Sequence, residues 1–322
     1  MDKGVLPGIK TVSILAILLC IIQFVNAQDD LADLVNKNAE PETKEYVSAT
    51  FKGLRIINVQ TIETAKKHNL QFNIQHRFGD VAGTGGGIHT LYGLDQAPDI
   101  RFSFDYGITD RLQVGIGHSK GFEPYKELVD GNLKFKLLRQ TTSNSMPLSV
   151  TLYGVAGVSI QKSSTDTTSD YYFEDNFSHR LSYVTQAVIA RKFTPGISFE
   201  LLPTWVHRNF VSFDEPNDFF SLGAGLRAKF SKRFSFVADY YHNFNSYYST
   251  EKDANGKTVY YDPLSVGVEI ETGGHVFQLM FTNSTGILEN LYLPFTKSNW
   301  ADGGFRWGFN ITRNFVLGGK RP

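Results

Sequence analysis

Residues Asp99 to Ser119 read DIRFSFDYGITDRLQVGIGHS, and their alternation decides the fold. Ile100, Phe102, Phe104 and Tyr106 alternate with Arg101, Ser103 and Asp105. Gly107 to Asp110 turn the chain, and Leu112, Val114 and Ile116 then alternate with Gln113, Gly115 and Gly117. Successive side chains of a strand point to opposite faces, so the stretch is a β-hairpin with one apolar and one polar face.

The same pattern extends in both directions. Upstream, Leu70, Phe72 and Ile74 alternate with Gln71, Asn73, Gln75 and Arg77. Downstream, Leu133, Phe135 and Leu137 alternate with Asn132, Lys134 and Lys136. Further strands are expected at 148–158, 180–191, 197–206, 219–230, 233–243, 264–270 and 277–281, and the last at Gly304 to Thr312, where Phe305, Trp307, Phe309 and Ile311 form one face. Twelve strands counted from Asn69 are joined alternately by long loops and mostly short turns. An even strand number with this sorting is the signature of an outer-membrane barrel, and it places both termini in the periplasm. The fold class is all-β: a single antiparallel transmembrane β-barrel. Tyr106, Trp205, Tyr240, Tyr241 and Trp300, near strand ends, fit interfacial aromatic girdles.

Composition agrees. With 29 Gly, 26 Phe and 15 Tyr among 322 residues, the chain has the profile of many short strands. No run past the N-terminus suits a membrane helix. Residues 1–27 read as a cleaved signal peptide: Lys3 and Lys10 are basic, 11–25 are almost wholly apolar, and Val25-Asn26-Ala27 matches a cleavage site. The one cysteine, Cys20, lies inside that segment, so the mature chain is expected to lack disulfides, thiolate catalysis and thiolate metal sites. Removing the segment leaves one acidic charge in excess, which implies no nucleic-acid partner. Residues 28–68 are expected to form a periplasmic lead-in. Within it, TFKGLRIINV at 50–59 is either an extra strand, interrupted at Ile56-Ile57, or a stretch along the periplasmic rim or inside the lumen. Residues 69–315 form the barrel and 316–322 a short tail.

Three segments resemble a known family: IQHRFGD at 74–80, GLDQAPDIRFSFDYGITDRLQVGIG at 93–117 and DGNLKFKLLRQ at 130–140. The resemblance is to Gram-negative outer-membrane β-barrel proteins catalogued as a domain of unknown function. It implies fold and location and no activity. One feature departs from barrels in general: Phe315 is followed by VLGGKRP instead of closing the chain.

Other motifs weigh against catalysis and cofactors. Gly83 to Gly87 lacks the lysine and helix of a phosphate cradle and reads as an extracellular loop. His242, Asn243 and Ser246 suggest a membrane-embedded lipid hydrolase, but neighbouring residues of a strand face opposite ways and cannot assemble a triad. His76, His89, His118, His179, His207, His242 and His275 are scattered singly, and no metal site is expected. Asp166, Asp170, Glu174 and Asp175, and Asp214, Glu215 and Asp218, read as solvated loop carboxylates, with weak calcium binding as the alternative.

The inward face carries the functional expectation. Its lining candidates are Arg77, Arg101, Arg111, Lys134, Lys136, Arg227, Lys229 and Arg306, with Asp105, Glu200, Asp239, Glu269 and Glu271. An excess of three basic groups predicts a narrow pore or binding barrel for small hydrophilic solutes with weak anion preference, Arg101 and Arg111 sharing their field with Asp105. The alternative is a lumen filled by its own paired charges, leaving a structural or surface-binding barrel in the outer-membrane lipid.

Overall fold

The computed structural model describes residues 44–121, 126–167, 172, 176–211 and 214–317. The expected signal peptide, the start of the lead-in, Asp170, Glu174, Asp175 and the last five tail residues lie outside them.

Twelve strands close into an antiparallel barrel. After a two-stranded hairpin, β1 (Arg55–Ile56) and β2 (Val59–Gln60), come β3 (Asn69–Asp80), β4 (Asp99–Gly107), β5 (Leu112–Lys120), β6 (Glu127–Leu138), β7 (Ser149–Ser159) and β8 (Leu181–Lys192). The remaining strands are β9 (Ile197–Arg208), β10 (Asp218–Lys229), β11 (Phe234–Asn243), β12 (Leu264–Thr272), β13 (His275–Thr282) and β14 (Arg306–Val316). Closure is made by β14 on β3, with Ile311 opposite Ile74 and Val316 opposite Asn69. The last strand therefore runs past its expected end at Thr312, and Phe315 belongs to it.

Alternation sets the faces as expected. Phe102 and Phe104 are 40 % and 45 % exposed on the outer wall, while Arg101, Ser103 and Asp105 between them are buried inside. Such a wall presents hydrocarbon to lipid and polar groups to the lumen. Tyr240 is outward, but its neighbour Tyr241 is fully buried in the lumen, so Tyr241 is not a girdle residue. The connections that follow β3, β5, β7, β9, β11 and β13 leave the barrel at one end. The turns 108–111, 139–148, 193–196, 230–233 and 273–274 lie at the other.

The largest departure from the sequence reading is the lumen itself, which is occupied. Residues 46–68 enter from the turn end, where Val47 N–H donates to the Gln140 carbonyl, and leave there, where His68 N–H donates to the Gly107 carbonyl. Between these points the segment rises into the barrel, and Phe51, Ile56, Ile57, Val59 and Ile62 are buried. It is thus an internal hairpin, the third of the alternatives open for 50–59. From the loop end a second element descends: the helix Glu289–Phe295, whose first six residues are all buried. Residues 284–296 of the long connection between β13 and β14 are buried apart from half-buried Thr285 and Phe295, whereas Lys297, Ala301 and Asp302 are exposed.

The two halves of the inner wall differ. Tyr153 and Val155 of β7, Val184 and Val188 of β8, Leu202 and Val206 of β9 and Val237 of β11 form one apolar cluster with Phe51, Ile56, Ile57, Val59 and Ile62. This half of the barrel is packed as a core, and burial of that apolar surface anchors the hairpin. The other half, from β13 through β14 and β3 to β6, points mainly amides and charges inward; Glu200, Arg227 and Asp239 of β9–β11 are the inward charges on the apolar half.

Candidate functional site

The hairpin tip shows how the lumen holds it. Ile57 has φ 42°, a conformation disfavoured for a β-branched residue. It is held because Ile57 N–H donates to Gln278 Oε1 (3.2 Å) while Asn310 Nδ2 donates to its carbonyl (2.9 Å). Asn58, next in sequence, donates its N–H to Asp239 Oδ2 (2.8 Å) and its amide to Ser265 Oγ (2.8 Å), and accepts from Arg77 (2.8 Å). Lower down, the fully buried Lys134 ammonium donates to three hairpin carbonyls, those of Leu54, Thr61 and Glu63, each at 3.1 Å. Lys136 pairs with Glu63 (3.2 Å).

The expected lining residues can now be placed. Arg77, Arg101, Asp105, Lys134, Glu200, Arg227, Asp239, Glu269 and Arg306 are buried inward, and Lys136, Lys229 and Glu271 are half-buried. Arg111 is the exception: it lies exposed in the turn 108–111, where the chain has left the alternating strand. It cannot share a field with Arg101 and Asp105 as expected. Arg101 instead reaches across β5 to Asp130 of β6, at 2.6 and 3.1 Å. Gly117 permits this, because a Cβ there would sit 2.2 Å from the guanidinium and 2.5 Å from the Asp130 carboxylate. Gly225 does the same for Glu200, whose carboxylate lies 2.8 Å from where a Cβ would be.

Other lumen charges are also engaged. Arg227 pairs with Glu269 (2.7 Å) and Glu271; Glu271 also meets Lys52 of the hairpin segment (3.0 Å); and Arg306 pairs with Asp80. The expected excess of three basic groups therefore does not stand. Arg111 is outside, and Glu63, Asp80, Asp130 and Glu289 add acidic partners that the alternation count left out.

Hairpin and helix meet in one ion pair: Arg55 of β1 lies 3.1 Å from Glu289, the first residue of the helix, with Gln60 Nε2 donating to the same carboxylate (3.2 Å). The helix is seated by Asn290 on Ser182 (2.6 Å), by Tyr292 against Tyr241 (ring centroids 5.7 Å apart) and by Leu288 and Leu291 on Leu128. Over it, Arg208 is bonded to Glu215 and Tyr248, so Glu215 is not the solvated carboxylate expected.

Against the polar wall the hairpin leaves a cleft. Asn73, Gln75, Arg101, Ser103, Asp105, Gln113, Asn132, Gln278, Asn310 and Thr312 line it from β3–β6, β13 and β14, with Tyr153 of β7 and Leu54, Arg55 and Gln60 of the hairpin. The cleft is narrow, with a cavity volume of about 30 Å³. Asn73, Asn132 and Thr312 are half-exposed, while Gln75, Arg101, Asp105 and Gln113 are buried. At the loop end the Arg55–Glu289 pair shuts it. The alternation had identified Arg101 and Asp105; of the amide residues around them, half of the lining, Asn73, Gln75, Gln113 and Asn132 were seen only as the polar members of strands.

The remaining motifs stay apart. His242 Nδ1 lies 2.9 Å from Asp262, which also accepts from the Tyr240 hydroxyl (2.6 Å), but among the described residues no hydrogen bond joins His242 to Ser246. His207 is similarly paired with Asp218 (2.8 Å). Among the described residues no group of three or more His, Cys, Asp or Glu is placed to hold a metal ion.

Comparison with known proteins gives the following. The model of a family described as membrane bound beta barrel domain (DUF5777) matches residues 51–315. The match begins at Phe51, inside the lumen segment, so the hairpin is part of the family's domain. No curated protein matches the chain. Among solved structures, an outer membrane channel from Pseudomonas putida F1 is similar at 13 % identity over 79 % of this chain and 98 % of its own, with a TM-score of 0.46. The NanC porin is similar at 10 % identity over 77 % and 100 % (TM-score 0.45), and Omp33 of Acinetobacter baumannii at 9 % over 78 % and 100 % (TM-score 0.41).

Proposed function

The chain belongs to the membrane-bound β-barrel family that its sequence matches, and from that premise we propose that it is a gated outer-membrane barrel for small hydrophilic solutes. Solutes pass along the polar half of the lumen. The hairpin, anchored on the apolar half, narrows this path permanently. The helix Glu289–Phe295, latched to the hairpin through Arg55 and Glu289, closes its loop end. Both termini face the periplasm of a Gram-negative bacterium, a reading supported by the export-signal pattern and by the sorting of long loops from short turns. The protein binds and conducts; it does not catalyse.

The observation that carries the reading is the asymmetry of the filling. A purely structural plug would pack both sides of the hairpin, whereas here one side carries the apolar cluster and the other keeps a polar cleft lined by eleven wall residues from seven adjacent strands. Replacing residues 285–297 by a short Gly-Ser linker removes the closing helix and leaves the hairpin in place. In planar bilayers the wild type should stay mostly silent and the shortened variant should conduct in small, steady steps. A shortened variant that remains silent while correctly folded favours the second reading, a structural or surface-binding barrel; the polar bonds that hold the hairpin tip are the observation behind that alternative.

A further inference from the structure

The turn end of the barrel carries a collar of basic side chains that the lumen does not use. Arg111 stands in the turn 108–111, Arg139 opens 139–148, Arg191 is beside 193–196, Lys232 and Arg233 are in 230–233, and Arg313 is beside 273–274, where it meets His275 (3.1 Å). Each turn therefore has at least one. Register sets Arg191 opposite Phe199 and Arg313 opposite Phe72, both on the outer wall, so these two guanidinium groups face out of the barrel. Among the described residues none of the six is paired with a carboxylate. The one carboxylate in the five turns, Asp110, accepts from the Lys67 backbone N–H (3.0 Å). At the loop end, by contrast, exposed Lys120 is paired with Glu127 (2.8 Å) and exposed Lys257 with Asp302 (2.6 Å). Each turn also has an exposed apolar residue next to its cation. Phe193 and Phe230 are 58 % and 66 % exposed, and the Arg191 and Arg313 guanidinium groups lie over the Phe193 and Phe315 rings, 5.5 and 5.1 Å from their centroids.

We propose that this collar binds the headgroups of anionic phospholipids in the periplasmic leaflet. The choice of leaflet rests on the orientation given above; the binding itself does not. Exposed phenyl rings at the edge of a lipid-facing wall mark the boundary of the hydrocarbon, where barrels carry their aromatic girdles. Long basic side chains rooted at that depth lay their stems along apolar surface and hold their charge at the headgroup level. Phosphate is the group found there, and a guanidinium grips it through two parallel N–H bonds. Stacking on a phenyl face leaves the edge of the guanidinium, where its N–H groups lie, open to that contact. Arg191 also donates to the Pro147 carbonyl (3.2 Å) and Asn144 Oδ1 (3.0 Å), which fixes it in place. The distribution selects a membrane over other anions. A soluble phosphate needs several cations gathered in one pocket, and an acidic protein needs them on one side; here they are spread over five turns joining five different strand pairs around the perimeter. Charge then selects among lipids, because a zwitterionic headgroup brings its own cation and gains little from the collar.

The test is native mass spectrometry of the full mature barrel in detergent micelles, titrated with phosphatidylglycerol or with phosphatidylcholine of the same acyl chains. Phosphatidylglycerol should bind about tenfold more tightly, and its lead should shrink in high salt, which screens exposed charge. Arg313→Gln alone should lower the preference by up to about fivefold, the effect of one basic group near an anionic surface. Replacing Arg191, Lys232, Arg233 and Arg313 together by glutamine should bring the two lipids within about twofold of each other. Lys297→Gln removes a loop-end cation that likewise stands over a ring, that of Tyr260 (5.5 Å), and should change nothing. All five positions are exposed or half-buried, and heat-modifiable migration checks each barrel. Equal affinity for the two lipids, a preference that survives in the fourfold variant, one lost equally in Lys297→Gln, or displacement of phosphatidylglycerol by millimolar inorganic phosphate would overturn the proposal. Protease cleavage of the turns 139–148 and 193–196 on intact cells would overturn the orientation and the leaflet, a failure distinct from any loss of lipid preference in micelles.

Discussion

Arg55→Met should raise the open probability of the barrel in planar bilayers by about 10²-fold. The substitution keeps a flexible, unbranched stem and removes the charge, leaving the fully buried Glu289 carboxylate, among the described residues, with only the Gln60 amide. Breaking a buried ion pair on one side costs about 3–5 kcal/mol, because a charge is left uncompensated. Most of that cost falls on the closed state, since a helix swung toward the loop end returns Glu289 to water. Each 1.4 kcal/mol is a factor of ten in an equilibrium, so a cost of about 3 kcal/mol on the closed state gives the stated size. The double variant Arg55→Met with Glu289→Met removes both charges and should close again. A double variant as open as the single one would mean that the helix is held by Tyr292, Leu288 and Leu291, and not by the latch.

The second large effect is expected at Lys134, which acts on the hairpin and not on the helix. Lys134→Met retains the buried stem and deletes the ammonium that three carbonyls of the hairpin share. Hydrogen bonds to a charged donor contribute about 1.5–3 kcal/mol each and are not additive within one cluster, so a loss of about 3–5 kcal/mol is expected. In thermal unfolding this is a fall on the order of 10 °C. Conductance should rise as well, but as noisy and variable openings, because a loosened hairpin samples many positions while a released latch has one. An unchanged unfolding temperature would show that the apolar half alone seats the hairpin.

The barrel was legible because each strand separates two environments. Phe102 and Phe104 meet lipid, and Arg101, Ser103 and Asp105 between them do not, so a period of two survives in the sequence whatever lies inside the lumen. The hairpin obeys no such rule. Ile56, Ile57 and Val59 are all buried, against the wall or against one another, and a segment enclosed on every side loses its alternation; the break at Ile56-Ile57 was the visible trace. A clearer signal lay in the strands opposite. Leu201 faces outward and Leu202 inward, and Val184, Val188 and Val206 are inward too; apolar residues on both faces mean that the interior there is not water. The helix was signalled by Ile287, Leu288, Leu291, Tyr292 and Leu293, an apolar run unsuited to an exposed loop. The ion pairs were beyond reach. Arg101 finds Asp130 two strands away through the gap at Gly117, which depends on register and on a missing side chain, and neither can be read from spacing along the chain.

Peptide-resolved hydrogen exchange of the barrel in micelles or nanodiscs tests the central claim, that residues 51–65 are a folded hairpin bonded inside the lumen. Asn58 N–H is committed to Asp239 and Ala65 N–H to Gln113 (2.8 Å each), and both positions are buried. Peptides from this stretch should exchange as slowly as those from β8 and β9, and Lys134→Met should speed them while leaving β8 unchanged. Exchange of 51–65 within seconds, at the rate of an unstructured chain in the same preparation, would contradict the account.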